Sequence, residues 1–203
     1  MDTSKHGRIT PFAVVGGPAL MALYGGIRLL EGSRDPGVGW LVGHSLMLAG
    51  LVLFVPVLVA LERRPAPNRT AAGRVAARTA LGVALTGLAA SVVQIGIDLY
   101  VGAVAVDKAD QHRLFDGIQS HPGVVPAVYS VGPLLFYVGL LALLVAGAVG
   151  RARSLCWWSP VLMLTGTVLT AVDLALIPVA AVCYLVALAP LVGVGGVGRP
   201  VAA

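Results

Sequence analysis

An all-α, polytopic membrane fold with six transmembrane helices is what this sequence predicts, and three observations carry the expectation. Of the 203 residues, 58% are hydrophobic and only 11% are charged, against about 25% charged in a soluble domain. Five apolar blocks, about 11–30, 39–61, 79–105, 123–149 and 158–195, reach the roughly 20 residues that a helix needs to cross a bilayer. The basic residues collect on alternate connections between these blocks. The length suits a single integral membrane domain over 1–203 with no room for a second, soluble one.

The first block follows Lys5 and Arg8 and begins at Phe12, which resembles the start of a secretory signal peptide. It continues through Ala22 and Tyr24 to Ile27 with no clear A-x-A cleavage pattern, so a retained first span is expected. Gly16, Gly17, Gly25 and Gly26 read as close-packing positions, since no strand precedes them to make a phosphate loop. The loop at 62–75, beginning E-R-R-P-A-P-N-R-T-A-A-G-R, is polar and rich in helix breakers, and suits a cytoplasmic tether able to meet anionic lipid headgroups. The last block is nearly twice too long for one span. It divides near L-A-L-I-P-V, where Pro178 fits the first turn of a new helix, giving spans at 158–175 and 177–195.

Charge then orients the chain. With both termini cytoplasmic, the inner side holds Lys5, Arg8, Arg63, Arg64, Arg69, Arg74, Arg78, Arg151, Arg153 and Arg199, ten of the fourteen basic residues. The outer side holds Arg28, Arg34, Lys108 and Arg113, diluted by Glu31, Asp35, Asp107, Asp110 and Asp116. This follows the positive-inside rule for an inner (cytoplasmic) membrane. It also accounts for the net charge of +5 without a nucleic-acid partner. Trp157 and Trp158 fall where an inner aromatic belt belongs, and Trp40 where an outer one does. Cys156 and Cys183 form no CxxC or zinc pattern and are expected as free, buried thiols.

The polar residues inside the apolar blocks converge on one depth. Ala84, Gly87, Ser91, Gln94 and Asp98 recur every three or four residues and so share one helix face. Small and polar residues avoid lipid and favour close helix approach, so that face looks into the bundle. Gln94 and Asp98 stand one turn apart, within reach of a shared hydrogen bond. Asp98 lies twenty residues beyond Arg78, about 30 Å at 1.5 Å per residue, which puts it in the outer half. His44, Tyr24, Tyr129 and Asp173 fall at similar depth, with Tyr100 close by. An intramembrane acid is costly, roughly 2.5–3.5 kcal/mol on insertion scales, and usually functional. Burial favours the uncharged carboxyl, which makes Asp98 a candidate proton donor. The bland alternatives are a Gln94–Asp98 bond between helices, a wet interfacial histidine at 44, a solvated Asp173 at a helix end, and tyrosines that serve as belt or packing residues.

Several chemistries lack their residues. There is no HExxH, P-loop or GxSxG. A bis-histidine haem needs paired intramembrane histidines, whereas His6, His112 and His121 fall in loops or the tail. No DDxxD pair is present to hold magnesium against a diphosphate, so neither metal nor other cofactor is expected. What the layer suits is protonation of an alkene or epoxide in a lipophilic isoprenoid. Asp98 would donate the proton, with Gln94 beside it. Tyr24, Tyr129, Ser91 and Tyr100 would line the substrate, the ring faces stabilising a cation. His44 or Asp173 would take the final proton.

The runs G-H-S-L-M-L-A-G-L-V-L-F-V-P (43–56) and Q-I-G-I-D-L-Y (94–100), together with the size and helix layout, look like small actinobacterial integral-membrane proteins. In outline the chain is similar to the membrane terpene cyclases of the indole-sesquiterpene (drimentine) type. That resemblance covers the whole chain as architecture. It implies proton-initiated cyclisation of a farnesylated, indole-containing substrate; the role of Asp98 rests on the physical argument alone. Two other classes stay open from the residues: a small proton-coupled transporter using Asp98 and Asp173, and a non-catalytic membrane module in which Gln94 and Asp98 join helices.

Overall fold

The computed structural model describes residues 3–64, 70–149 and 155–192. The middle of the 62–75 loop, Arg151, Arg153, Arg199, the side chains of Lys5 and Arg8, and the last three residues of the expected 177–195 span lie outside the described residues. Seven α-helices follow in order: α1 (Thr3–Arg28), α2 (Val38–Arg63), α3 (Ala71–Val104), α4 (Lys108–Gln119), α5 (Val131–Val149), α6 (Trp158–Val172) and α7 (Ile177–Leu188). A π-helical turn (Val125–Ser130) leads into α5, and short 3-10 turns flank α7. Strands are absent among the described residues.

Among the described residues, four segments are long and apolar enough to cross a membrane: Val38–Arg63, Ala71–Val104, Val125–Val149 and Leu174–Leu191. This is the make-up of a membrane protein. The expected count of six goes further than that. Helix α6 has only 15 residues, about 22 Å of rise, and α1 is diluted by its glycines, Pro11, Pro18 and Arg28. The break between α6 and α7 falls at the L-A-L-I-P-V segment, with Pro178 in the first turn of α7. Thr70 caps α3, its hydroxyl accepting from the Gly73 amide at 3.1 Å, so α3 starts eight residues before the expected 79.

Six helices close a ring. Each packs mainly on its neighbours in the order α1, α2, α3, α5, α6, α7 and back to α1, with the α5–α6 seam the thinnest. Glycine sets the closest crossings. A methyl group at Gly87 would overlap the Phe136 backbone, and one at Gly139 would overlap the Ala84 backbone, so α3 and α5 meet almost backbone to backbone. Gly17 and Gly50 do the same for α1 and α2 at a looser spacing. Such small-residue contacts are how helices gain packing energy where lipid offers no hydrophobic driving force. Between them the core is apolar, built around Met21, Leu51, Phe54, Phe136, Leu140 and Leu144. Phe54 meets Phe136 edge-on at 5.3 Å.

Helix α4 was not apparent from the sequence, where 106–122 reads as a loop. Its start is specified locally: the Asp107 carboxylate accepts from the Asp110 amide at 2.8 Å, and Asp110 reaches back to the Val106 amide at 3.2 Å. That reciprocal arrangement resembles a capping box. Phe115 then lays α4 against Trp40, ring centroids 6.2 Å apart. Both cysteines are free, but neither is buried as expected: Cys156 is exposed, since it precedes the first turn of α6, and Cys183 is half-buried.

Candidate functional site

At the end of the ring where α1, α3 and α6 finish and α2, α5 and α7 begin, the helices part around a cavity of about 210 Å³. Its polar wall is Tyr24 and Arg28 from α1, Trp40 and His44 from α2, and Ser91, Gln94 and Asp98 from α3. Tyr137 of α5 and Thr170 of α6 face them, and Met47, Leu51, Ile95 and Ile177 make the apolar part. Buried polar groups in such a place need a reason, since each loses hydration.

Asp98 is the centre of the arrangement. It is 9% exposed, and His44, from the neighbouring helix, is 4% exposed. His44 Nε2 stands 3.7 Å from Asp98 Oδ2, beyond hydrogen-bond length but close enough for a small shift to join them. His44 Nδ1 lies 2.8 Å from the Trp40 carbonyl oxygen. A carbonyl only accepts, so Nδ1 carries the hydrogen, and in the neutral ring the lone pair on Nε2 faces the carboxyl.

Trp40 holds this geometry. Its indole stacks on the His44 ring at 4.2 Å, and its Nε1–H donates to the Asp98 backbone carbonyl at 2.6 Å. The indole reaches that carbonyl because residue 102 is glycine, where any Cβ would strike the indole ring. Tyr24 closes the other side of His44 edge-on at 5.2 Å. Trp40, expected as a lipid-facing belt residue, is instead an inward clamp on both members of the pair.

The remaining expected residues divide. Ser91 is buried in the cavity wall, its hydroxyl donating to the Gly87 carbonyl at 3.0 Å. Gln94 also lines the cavity, but the expected bond to Asp98 does not form, because the carboxyl turns toward His44. Asp173 is exposed and accepts from the Ala175 amide at 2.8 Å, which caps the 3-10 turn and keeps it outside the cavity. Tyr100 is 59% exposed; two residues past Asp98, it projects from another face of α3. Tyr129, in the π-helical turn, is half-buried and outside the cavity lining.

Several lining residues were not singled out from the sequence as site residues, Arg28, Trp40, Tyr137 and Thr170 among the polar ones. Arg28, counted from sequence only among the outer-side charges, ends α1 and forms part of the cavity wall. Tyr137 was grouped with packing residues, yet it lines the cavity and leads to Tyr184, ring centroids 6.3 Å apart. The Trp40-x-x-x-His44 spacing was a usable signal for the clamp, because residues four apart share a helix face.

Among the described residues, no group of three or more His, Cys, Asp or Glu side chains is arranged to hold a metal ion. No protein-family model matches the chain, and neither any curated protein nor any solved structure matches it significantly.

Proposed function

We propose that this chain is a membrane-embedded terpene cyclase, metal-independent, that folds and cyclises a lipophilic prenylated substrate of the farnesylated-indole type. In this reading six helices span the inner (cytoplasmic) membrane, both termini are cytoplasmic, and the cavity lies in the outer half. The observation that carries it is the buried Asp98–His44 pair, 3.7 Å apart, facing a cavity with Tyr24, Trp40 and Tyr137 in its wall.

The chemistry balances without a co-reactant. Asp98, as the general acid, adds its proton to the terminal alkene and leaves a tertiary carbocation. Internal double bonds attack that centre in turn, each closing a carbon–carbon bond and moving the charge along. The aromatic faces of Tyr24, Trp40 and Tyr137 favour the moving cation, each by about 0.5–2 kcal/mol. His44 Nε2 removes the final proton and loses it to solvent, and the Asp98 carboxylate takes a fresh proton from solvent before the next turnover. Substrate and product are isomers. His44 takes the acceptor role over Asp173, which is exposed and occupied in capping.

The cavity volume, about 210 Å³, is below the roughly 300–1,000 Å³ of pockets that enclose drug-sized ligands. That favours a site for the reacting end of a long substrate, the rest lying between helices or in lipid. The test is incubation of membranes bearing the protein with farnesylated indoles, followed by product analysis. An isomeric cyclised product is expected from the natural chain. Asp98→Asn is expected to lower turnover by about 10²–10⁴-fold, the usual weight of a general acid, with the fold retained. Unaltered turnover in that variant excludes the assignment.

A further inference from the structure

We propose that the cavity seats an amphiphile whose anionic head, a carboxylate or phosphate, is held by Arg28 while its hydrocarbon part lies against the aromatic and aliphatic wall. For the reaction above this narrows the substrate to a farnesylated indole that also bears a carboxylate or phosphate, and it rests on that reading for the fate of the hydrocarbon chain; the head-group contact is a separate binding claim.

Arg28 belongs to two hollows at once. It lines the 210 Å³ cavity and also a neighbouring polar depression of about 300 Å³ formed with Glu31, Arg34, Asp35 and Lys108. One side chain thus stands between a charged surface and an apolar interior, which is the layout an amphiphile needs. The other two cations beside it are engaged: Lys108 Nζ is 2.7 Å from Asp35 Oδ1 and 3.3 Å from the Arg34 carbonyl. Arg34 donates from Nε to the Arg28 carbonyl at 3.2 Å, which braces the end of α1.

Among the described residues, the Arg28 guanidinium has no carboxylate within 4.0 Å. Its near polar neighbour is the Tyr24 side chain, with Asp98 at longer range. A guanidinium carries five donors and no acceptor, in a planar fork that matches a carboxylate or phosphate edge. Its position at the C-terminus of α1 suits the helix dipole, which explains a cation there but not its place in a cavity wall. Below it Met47, Leu51, Ile95 and Ile177 offer only hydrocarbon. A chain folded back on itself brings its far end near its head, so the two ends can meet Arg28 and Asp98 in this cavity while its middle lies between helices or in lipid.

The experiment uses the full chain in phosphatidylcholine nanodiscs, with Trp157 and Trp158 replaced by Phe so that Trp40 alone of the three tryptophans reports. Quenching by brominated dodecanoate, brominated dodecyl phosphate and brominated dodecanol is titrated in parallel. Both anions are expected to bind about tenfold or more tightly than the alcohol, as a charge-assisted contact supplies. Arg28→Gln is expected to erase that preference while alcohol binding stays, and Arg28→Lys to keep part of it, having the charge without the fork. Equal quenching by all three probes, or a preference that survives Arg28→Gln, overturns the proposal. So does inorganic phosphate that displaces the anionic probes at their own concentration, which would make the ligand a free anion and not an amphiphile. Absence of any cyclised product together with an Arg28-dependent preference would contradict the reaction and leave this site standing.

Discussion

Asp98 and His44 come from different helices, and it is Trp40 that fixes their relation. Its carbonyl selects the tautomer of His44, its ring stacks on the imidazole, and its Nε1–H ties α2 to the Asp98 carbonyl. Trp40→Phe keeps an aromatic ring but removes the donor, and is expected to cost about 0.5–1.5 kcal/mol of stability for the lost hydrogen bond. Under the proposed reaction it is also expected to reduce turnover by loosening the pair, read as a lower kcat with little change in KM. Thermal unfolding and steady-state kinetics on one preparation check both. At this scale the acid was legible in the sequence, because an aspartate in a run of apolar residues has few structural excuses. Arg28 was not, since charge counting assigns a residue at a span end to a loop, and only packing shows which way its long side chain lies. Nor was the partner of Asp98. Sequence offers Gln94 one turn away, whereas the fold brings His44 from another helix.

Glycines decide how the elements meet, and they are not equivalent. Gly87 lies against the Phe136 backbone, which cannot swing aside, while Gly96 on the same helix has nothing within 4 Å of an added Cβ. Gly87→Ala is expected to destabilise by about 1–3 kcal/mol, the range for overpacking. Gly96→Ala is expected to be neutral or to stabilise by up to about 1 kcal/mol through helix propensity. Parallel melting curves in detergent check the contrast, and equal effects of the two would show that α3 and α5 do not meet as described. Helix α4 adds a pH dependence. Hydrogen bonding from Arg113, then from the Val106 amide, holds the Asp110 carboxyl below the usual carboxylate range. A depressed folded-state pKa contributes stability that is present above the unfolded value, about 3.9 for Asp, and lost as pH falls through the folded one. Protection factors of the amides in 107–111, which correct for the slower intrinsic exchange in acid, are therefore expected to fall at low pH before those of the long helices. The 3.6-residue periodicity made the α3 face readable at this scale. The same test passed over α4, whose polar composition resembles a loop and whose only signal was the Asp107–Asp110 spacing.

For the whole molecule, the ring places every lining residue at one end, where the helix termini of alternate direction come together. The apolar blocks made the helical membrane class plain, because backbone groups in lipid are satisfied within helices or closed barrels. The number of crossings was less readable, as α6 is short and α1 is interrupted by glycine and proline. The proposed orientation has its own check. In a background with Cys156 and Cys183 replaced by Ser and Ala, His112→Cys on α4 is expected to react with a membrane-impermeant maleimide in intact cells. Ala72→Cys, at the start of α3, is expected to react only after lysis. The reverse pattern would invert the bundle and place the cavity toward the cytoplasm.

The most direct measurement is the deuterium content of the product formed in heavy water. Proton transfer from Asp98 to an alkene predicts an isomer of the substrate carrying one carbon-bound deuterium, formed by the natural chain and lost in Asp98→Asn. A cyclised product without deuterium, or with deuterium at an unchanged rate in that variant, would contradict the role given to this residue.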